Sequence, residues 1–267
     1  MKNRYCAGRL AVFCIMLLLM SRSAFADDSF DTMQQNLASA FTRAFNDPAE
    51  FRAAGIFQLL GYSDDEITEI GRITPHPAAI KVVAEPDAGA GCFKNISVEC
   101  SKVLYYNLTI DRVVFDFPDC RLCLDELAQG RLRFLGSEKI NLITEVSTAD
   151  IAKVFDLVAR ARSLTSLRIK LEENRARITG RVKRGLFVVD FNITGDTELV
   201  DPKTVVFRCD RMLLNRAVVP RNTVNALFRE INPVFNARKT WLNLNIANIY
   251  IRQGFVHTIA TIERRKS

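Results

Sequence analysis

The sequence predicts an α+β fold in which a long, curved, mainly antiparallel sheet wraps around amphipathic helices, with a helical block ahead of it. Three observations carry that prediction. Between Leu167 and Cys209 apolar and polar side chains alternate through four runs: Leu167, Ile169, Leu171; Ala176, Ile178, Gly180, Val182; Phe187, Val189, Phe191, Ile193; and Val205, Phe207, Cys209. Alternation with period two places successive side chains on opposite faces, so each run is a strand with one buried and one wet side. The breaks at Glu173-Asn174, Arg184-Gly185 and Asp201-Pro202 are short, and short connections join antiparallel neighbours. Two further stretches, ending near Ala161 and Ile231, repeat their apolar residues at helical spacing and supply helices to lie against the sheet.

Taken in order, residues 1–26 have the form of a secretory signal. A basic start leads into the apolar run Leu10–Met20, and Ala24-Phe25-Ala26 offers small residues for cleavage before Asp27. The apolar run is short of the ~20 residues a membrane span needs. Phe13 precedes Cys14 where a lipoprotein signal carries a small residue, so lipid attachment there is set aside. The expected protein is exported, to the periplasm, the cell envelope or the exterior. The first 26 residues hold four of the 37 basic residues and none of the 30 acidic ones, leaving 33 against 30 and a net charge of +3. That is too near neutrality for a general polyanion binder, and no nucleic-acid partner is expected.

Residues 27–77 read as a helical extension packed on the main domain. Phe30, Met33, Leu37, Phe41, Ala44 and Phe45 form one apolar stripe. Asp47-Pro48 opens a second helix with proline in the first turn, and Ser63 with Glu66 makes a capping box for a third. Residues 78–267 form the main domain. Ile80–Ala84 is a first strand, Ile96–Leu104 and Leu108–Phe117 are a strand pair turning near Tyr106-Asn107, Pro118–Gly130 is loop, and Lys139–Val146 is another strand. Ser147-Thr148 caps a helix carrying Ile151, Val154, Phe155, Val158 and Ala161. After the meander, Asn222 is expected to cap a helix with Val224, Leu227, Phe228 and Ile231 on one face, and Pro233 ends it. Trp241–Ile251 and Phe255–Ile262 close the chain as a hairpin around Gln253-Gly254.

This order of a strand, the capped helix at Val146-Ser147-Thr148-Ala149-Asp150-Ile151, a meander, Val218-Val219-Pro220, a helix ending Ile231-Asn232-Pro233 and a hairpin with Gly254 resembles the LmeA-like phospholipid-binding proteins of bacterial envelopes, which are similar to tubular lipid-binding (TULIP-type) domains. The resemblance covers roughly residues 97–262. It implies a curved sheet leaving an apolar groove for lipid chains, and non-enzymatic binding of a phospholipid or related lipid in envelope lipid handling. The groove is then expected between Ile178, Val182, Val189, Phe191 and Phe207 of the sheet and Val224, Leu227, Phe228 and Ile231 of the helix. The residue pattern alone leaves open a structural or interaction protein with a solid core and no ligand.

The wet face of the first meander strands carries Arg168, Lys170, Arg175, Arg177, Arg181 and Lys183 against Glu172 and Glu173. It reads either as a solvated face guarded against edge pairing or as a contact for anionic headgroups on a membrane surface. Four cysteines, Cys92, Cys100, Cys120 and Cys123, are disulfide candidates in an exported chain. Their pairing stays open, and Cys209 reads as a buried free thiol. Cys120 and Cys123 also have redox or zinc spacing, but they follow a strand-rich segment and do not open a helix in a βαβ unit. His76 and His257 have no spaced partner. No GxSxG, HExxH, P-loop or GxGxxG pattern is present, so neither catalysis nor a cofactor is expected, a thiol or metal enzyme at Cys120 and Cys123 being the remaining alternative.

Overall fold

Two antiparallel sheets and an N-terminal group of helices make up the computed structural model, which describes residues 31–265 apart from 73–74, 106–107, 162–163, 185–186 and 243. Side chains at 105, 157–161, 164, 184, 187, 230 and 231 also lie outside the description. The expected signal at 1–26, Phe30 and the turns at Tyr106-Asn107 and Arg184-Gly185 fall among the undescribed positions.

The helical block contains α1 (31–46), α2 (Pro48–Ala53), α3 (Ile56–Leu59) and α4 (Asp64–Arg72). Its local signals act as the sequence dictates. The Ala49 N–H donates to Asp47 Oδ1 at 2.8 Å, starting α2. At α4 the Ser63 N–H donates to Glu66 Oε2 at 3.0 Å, and Glu66 N–H donates back to Ser63 Oγ at 3.4 Å.

The first sheet runs β1 (Ala79–Pro86), β2 (Cys92–Tyr105), β3 (Leu108–Leu122), β5 (Lys139–Ser147), β13 (Phe255–Glu263) and β12 (Asn245–Arg252), with β4 (Phe134–Gly136) on β3. Here the expected loop at Pro118–Gly130 is corrected. β3 continues to Leu122 and a short helix α5 (Leu124–Ala128) follows. Pro118 is tolerated inside the strand because it stands next to an irregularity at Asp119, whose φ is +47°.

The second sheet is the meander, in the order β10 (Ala217–Val218), β9 (Thr204–Leu214), β8 (Phe187–Asp201), β7 (Arg175–Arg184) and β6 (Leu164–Glu172), with β11 (Phe235–Asn236) on β9. Both sheets are curved and antiparallel, as the α+β reading requires. Two helices accompany them: α6 (Thr148–Ala161), capped by Ser147 through Asp150, and α7 (Arg221–Ile231). The expected cap of α7 moves: Pro220 occupies the N-cap position and Asn222 lies within the first turn.

Two cores result. The larger one packs α1, α3 and α4, with the partly buried Phe51 of α2, against the inner face of the first sheet, where Phe41 packs with Phe45, Phe117 and Phe134. The smaller joins the meander to α7 through Leu171, Ala176, Phe207, Met212, Val224 and Phe228, with Ile251 of β12 closing it.

Candidate functional site

Strand alternation sends Val113, Phe115 and Phe117 of β3 to one face, along with Ile140, Leu142, Thr144 and Val146 of β5. Register then aligns them into rungs. Val113 stands opposite Thr144, Thr144 opposite Thr258 and Thr258 opposite Ile249, so one rung crosses four strands. The next rung is Phe115, Leu142, Ala260 and Ile246. These two rungs form the floor of a cavity of about 350 Å³. The helical block supplies the facing wall through Phe45, Phe51, Ile56, Phe57 and Ile70. Phe235, Thr240, Leu242 and Leu244, on the path from β11 to β12, complete it with Val205 of β9.

Three hydroxyl side chains, Thr144, Thr240 and Thr258, are the only polar ones among the described lining residues. A space of this size falls within the range of ~300–1,000 Å³ typical of ligand pockets. With no charged group among the described lining residues and few hydroxyls to anchor water, it is suited to an apolar occupant. The wall formed by residues 240–242 is tied down: Tyr62 Oη donates to the Leu242 carbonyl at 2.6 Å. The Arg265 guanidinium lies 3.9 Å from the Tyr62 ring centre and donates to both Glu66 oxygens at 2.7 and 2.9 Å. That bond, with the Ser63 N–H, holds the Glu66 carboxyl below the usual carboxylate range.

Among the described side chains, none of those expected to line a groove lines this cavity. Phe207, Val224 and Phe228 are brought together, but as the buried centre of the second core, with the rings of Phe207 and Phe228 5.6 Å apart. Ile178, Val182, Val189 and Phe191 are half-buried on the same meander face, Leu227 is exposed, and the Ile231 side chain lies outside the described residues. The placement has a physical reason. Two glycines in the meander are roofed by phenylalanine rings: a Cβ on Gly180 would come within 2.5 Å of Phe191, and one on Gly195 within 2.8 Å of Phe207. Those rings are committed to filling the sheet. The signal that marks the actual cavity was present in the chain: threonine and alanine at inner-face positions 144, 258 and 260, among bulkier neighbours, leave room beside the strands.

The basic strand face is exposed as expected, and the fold adds carboxylates to it. Arg181 bonds Asp190 at 2.7 Å, Arg175 lies 3.7 Å from Asp210, and Lys170 pairs with Glu172 at 2.9 Å. Arg168, Arg177 and Lys183 have no ion pair among the described residues.

All five described cysteines carry free thiols, so no bridge joins Cys92, Cys100, Cys120 and Cys123 in this structure. On the β2–β3 ladder Cys92 stands opposite Arg121 and Cys120 opposite Phe93. Neither cysteine is the other's cross-strand partner on that ladder. Cys100 lies opposite Val113, well along the strand, and Cys123 lies past β3 at the start of α5. Burial pushes the Cys100 and Cys120 thiols up to about 12, far from the thiolate that exchange chemistry uses. Cys209 is a free, half-buried thiol.

His257 stacks on Tyr250 at 4.9 Å and lies 3.7 Å from Glu145, which also accepts from Arg112 at 3.0 Å. This row crosses β3, β5, β13 and β12 as a ladder of cross-strand pairs. Among the described residues no group of His, Cys, Asp and Glu has metal-site geometry, and no helix is long and apolar enough to cross a membrane. Comparison with protein-family models, with curated proteins and with solved structures finds no match to this chain.

Proposed function

We propose that this protein is an exported, non-enzymatic lipid-binding protein of the cell envelope, and that it holds the acyl chain of a phospholipid or related lipid in the cavity of the first sheet. The observation that carries the reading is the cavity's lining: about 350 Å³ bounded by aliphatic and aromatic side chains, with threonine hydroxyls as the only polar side chains among the described residues. Each methylene moved from water into such a space contributes about 0.8 kcal/mol, so chain length dominates affinity and the site discriminates weakly among headgroups. The resemblance to LmeA-like proteins supports a lipid ligand, although the groove it implied was expected on the meander. A headgroup left outside the cavity would meet the protein surface, and Arg168, Arg177 and Lys183, exposed and without an ion pair among the described residues, offer one contact for an anionic one.

The decisive experiment is native mass spectrometry of the chain purified without detergent, followed by lipid extraction. Protein carrying a stoichiometric lipid, and exchanging it for an added fluorescent fatty acid, supports the reading. Protein that carries no lipid and takes up none from vesicles or from solution overturns it, and leaves the solid-core structural protein in its place.

A further inference from the structure

Between Ile231 and Ile262 the sequence contains no acidic residue. Within that stretch, the segment leaving α7 combines two kinds of exposed side chain. Val234 and Trp241 are 48% and 47% exposed and Phe235 is 36% exposed, while Arg238 and Lys239 project beside them into solvent. Leaving large apolar side chains in water costs free energy, and here Val234 and Trp241 flank a basic pair while Phe235 is shared with the cavity. The segment is nevertheless firmly held. Asn232 accepts from the Phe207 N–H at 2.9 Å and donates to the Phe207 carbonyl at 3.0 Å, Phe235 and Asn236 pair with Val205 and Thr204, and Ala237 is fully buried. Its other side faces the cavity through Phe235, Thr240 and Leu242. One short segment therefore shares the cavity wall and presents an aromatic and cationic surface outward.

We propose that Val234–Trp241 is the surface by which the protein lies against an anionic lipid bilayer. Tryptophan favours the boundary between headgroups and chains, and a basic residue near an anionic surface is attracted to it. Arg238 shares its charge with Asp201 at 3.3 Å, so Lys239 carries most of the attraction. Contact here sets the cavity wall against the membrane, the place from which an acyl chain would be taken or returned. The proposal rests on the lipid-binding reading for its purpose, not for its test.

Trp241 is the only tryptophan in the chain, so its fluorescence reports this surface without any substitution. The full chain is titrated with vesicles of phosphatidylcholine alone and of phosphatidylcholine with phosphatidylglycerol, with and without bromine on the acyl chains. The expected result is a blue shift and bromine quenching of Trp241 with the anionic vesicles, reduced at high salt. Lys239→Gln should weaken vesicle binding about fivefold, the effect of one surface charge, and Trp241→Ala should weaken it further. Both variants should still take up a monomeric fluorescent fatty acid in the absence of vesicles. Vesicle binding that leaves Trp241 unshifted and unquenched overturns the proposal, as does binding lost only in Arg168→Gln/Arg177→Gln/Lys183→Gln, or no vesicle binding at all. If fatty-acid uptake fails while Trp241 enters the bilayer, the cavity reading falls and this surface stands.

Discussion

Gly195 sits opposite Cys209 on the β8–β9 ladder, where a Cβ would lie 2.2 Å from the Arg208 carbonyl oxygen as well as against the Phe207 ring. The backbone cannot give way there without opening the ladder. Gly195→Ala is expected to destabilise the protein by about 1–3 kcal/mol, as overpacking does, read as a lower urea midpoint. Glu66 makes a different kind of prediction. Its folded pKa is lowered, first by the hydrogen bond from Arg265 and then by the Ser63 N–H, so its contribution to stability is present above the ordinary carboxylate range and is lost as pH falls through the folded value. Glu66→Gln keeps the side chain's shape and removes the titration. The difference in Tm between neutral pH and about pH 3 should therefore be smaller in Glu66→Gln than in the unsubstituted chain; an unchanged difference would show that the Arg265 contact adds nothing.

At the level of elements, Asn232 behaves as one extra residue of sheet: its side-chain amide pairs with both backbone groups of Phe207. It closes α7 onto β9 and starts the path to β11. Asn232→Ala leaves those two partly buried groups without their partners, for an expected loss of about 1–3 kcal/mol measured by denaturant unfolding, whereas an exposed neighbour such as Val234→Ala should change stability little. Most elements were legible from the chain because their causes are local: the capping box at Ser63, the cap at Ser147-Thr148, the Asp47-Pro48 start, the alternation in the meander and the Gln253-Gly254 turn. The short elements α3, α5 and β4 were not, since Ile56–Leu59, Leu124–Ala128 and Phe134–Gly136 are held by tertiary contacts and by neighbouring strands. The basic face of β6 and β7 was legible, but Asp190 and Asp210, which neutralise Arg181 and Arg175, come from β8 and β9 and enter only through register.

For the whole molecule, the sequence shows inner faces but not which of two sheets leaves space above them. Ile178 and Phe191 alternate as cleanly as Val113 and Phe115; the difference is that rings fill the meander while Thr144, Thr258 and Ala260 leave a hollow under the helical block. Occupying that hollow should stabilise the fold by linkage. A fatty acid at about a hundred times its Kd adds roughly 2.7 kcal/mol, a rise in Tm that differential scanning fluorimetry detects. Thr144→Phe/Thr258→Phe, which fills the floor from two facing positions, should abolish that rise while leaving the ligand-free protein folded. An equal rise in the double variant would place the ligand elsewhere.

β13 lies between β5 and β12, so the floor of the cavity joins a strand from the middle of the chain to one near its far end. During synthesis the β3–β5 part of the floor emerges long before β13 can dock beside it, and over that interval an apolar face and an unpaired strand edge stand open together. Whatever first covers β5 in the cell, a chaperone, a membrane or a second chain, competes with the protein's own β13, so assembly of the cavity is a step that growth conditions can impair without altering a single contact of the finished fold.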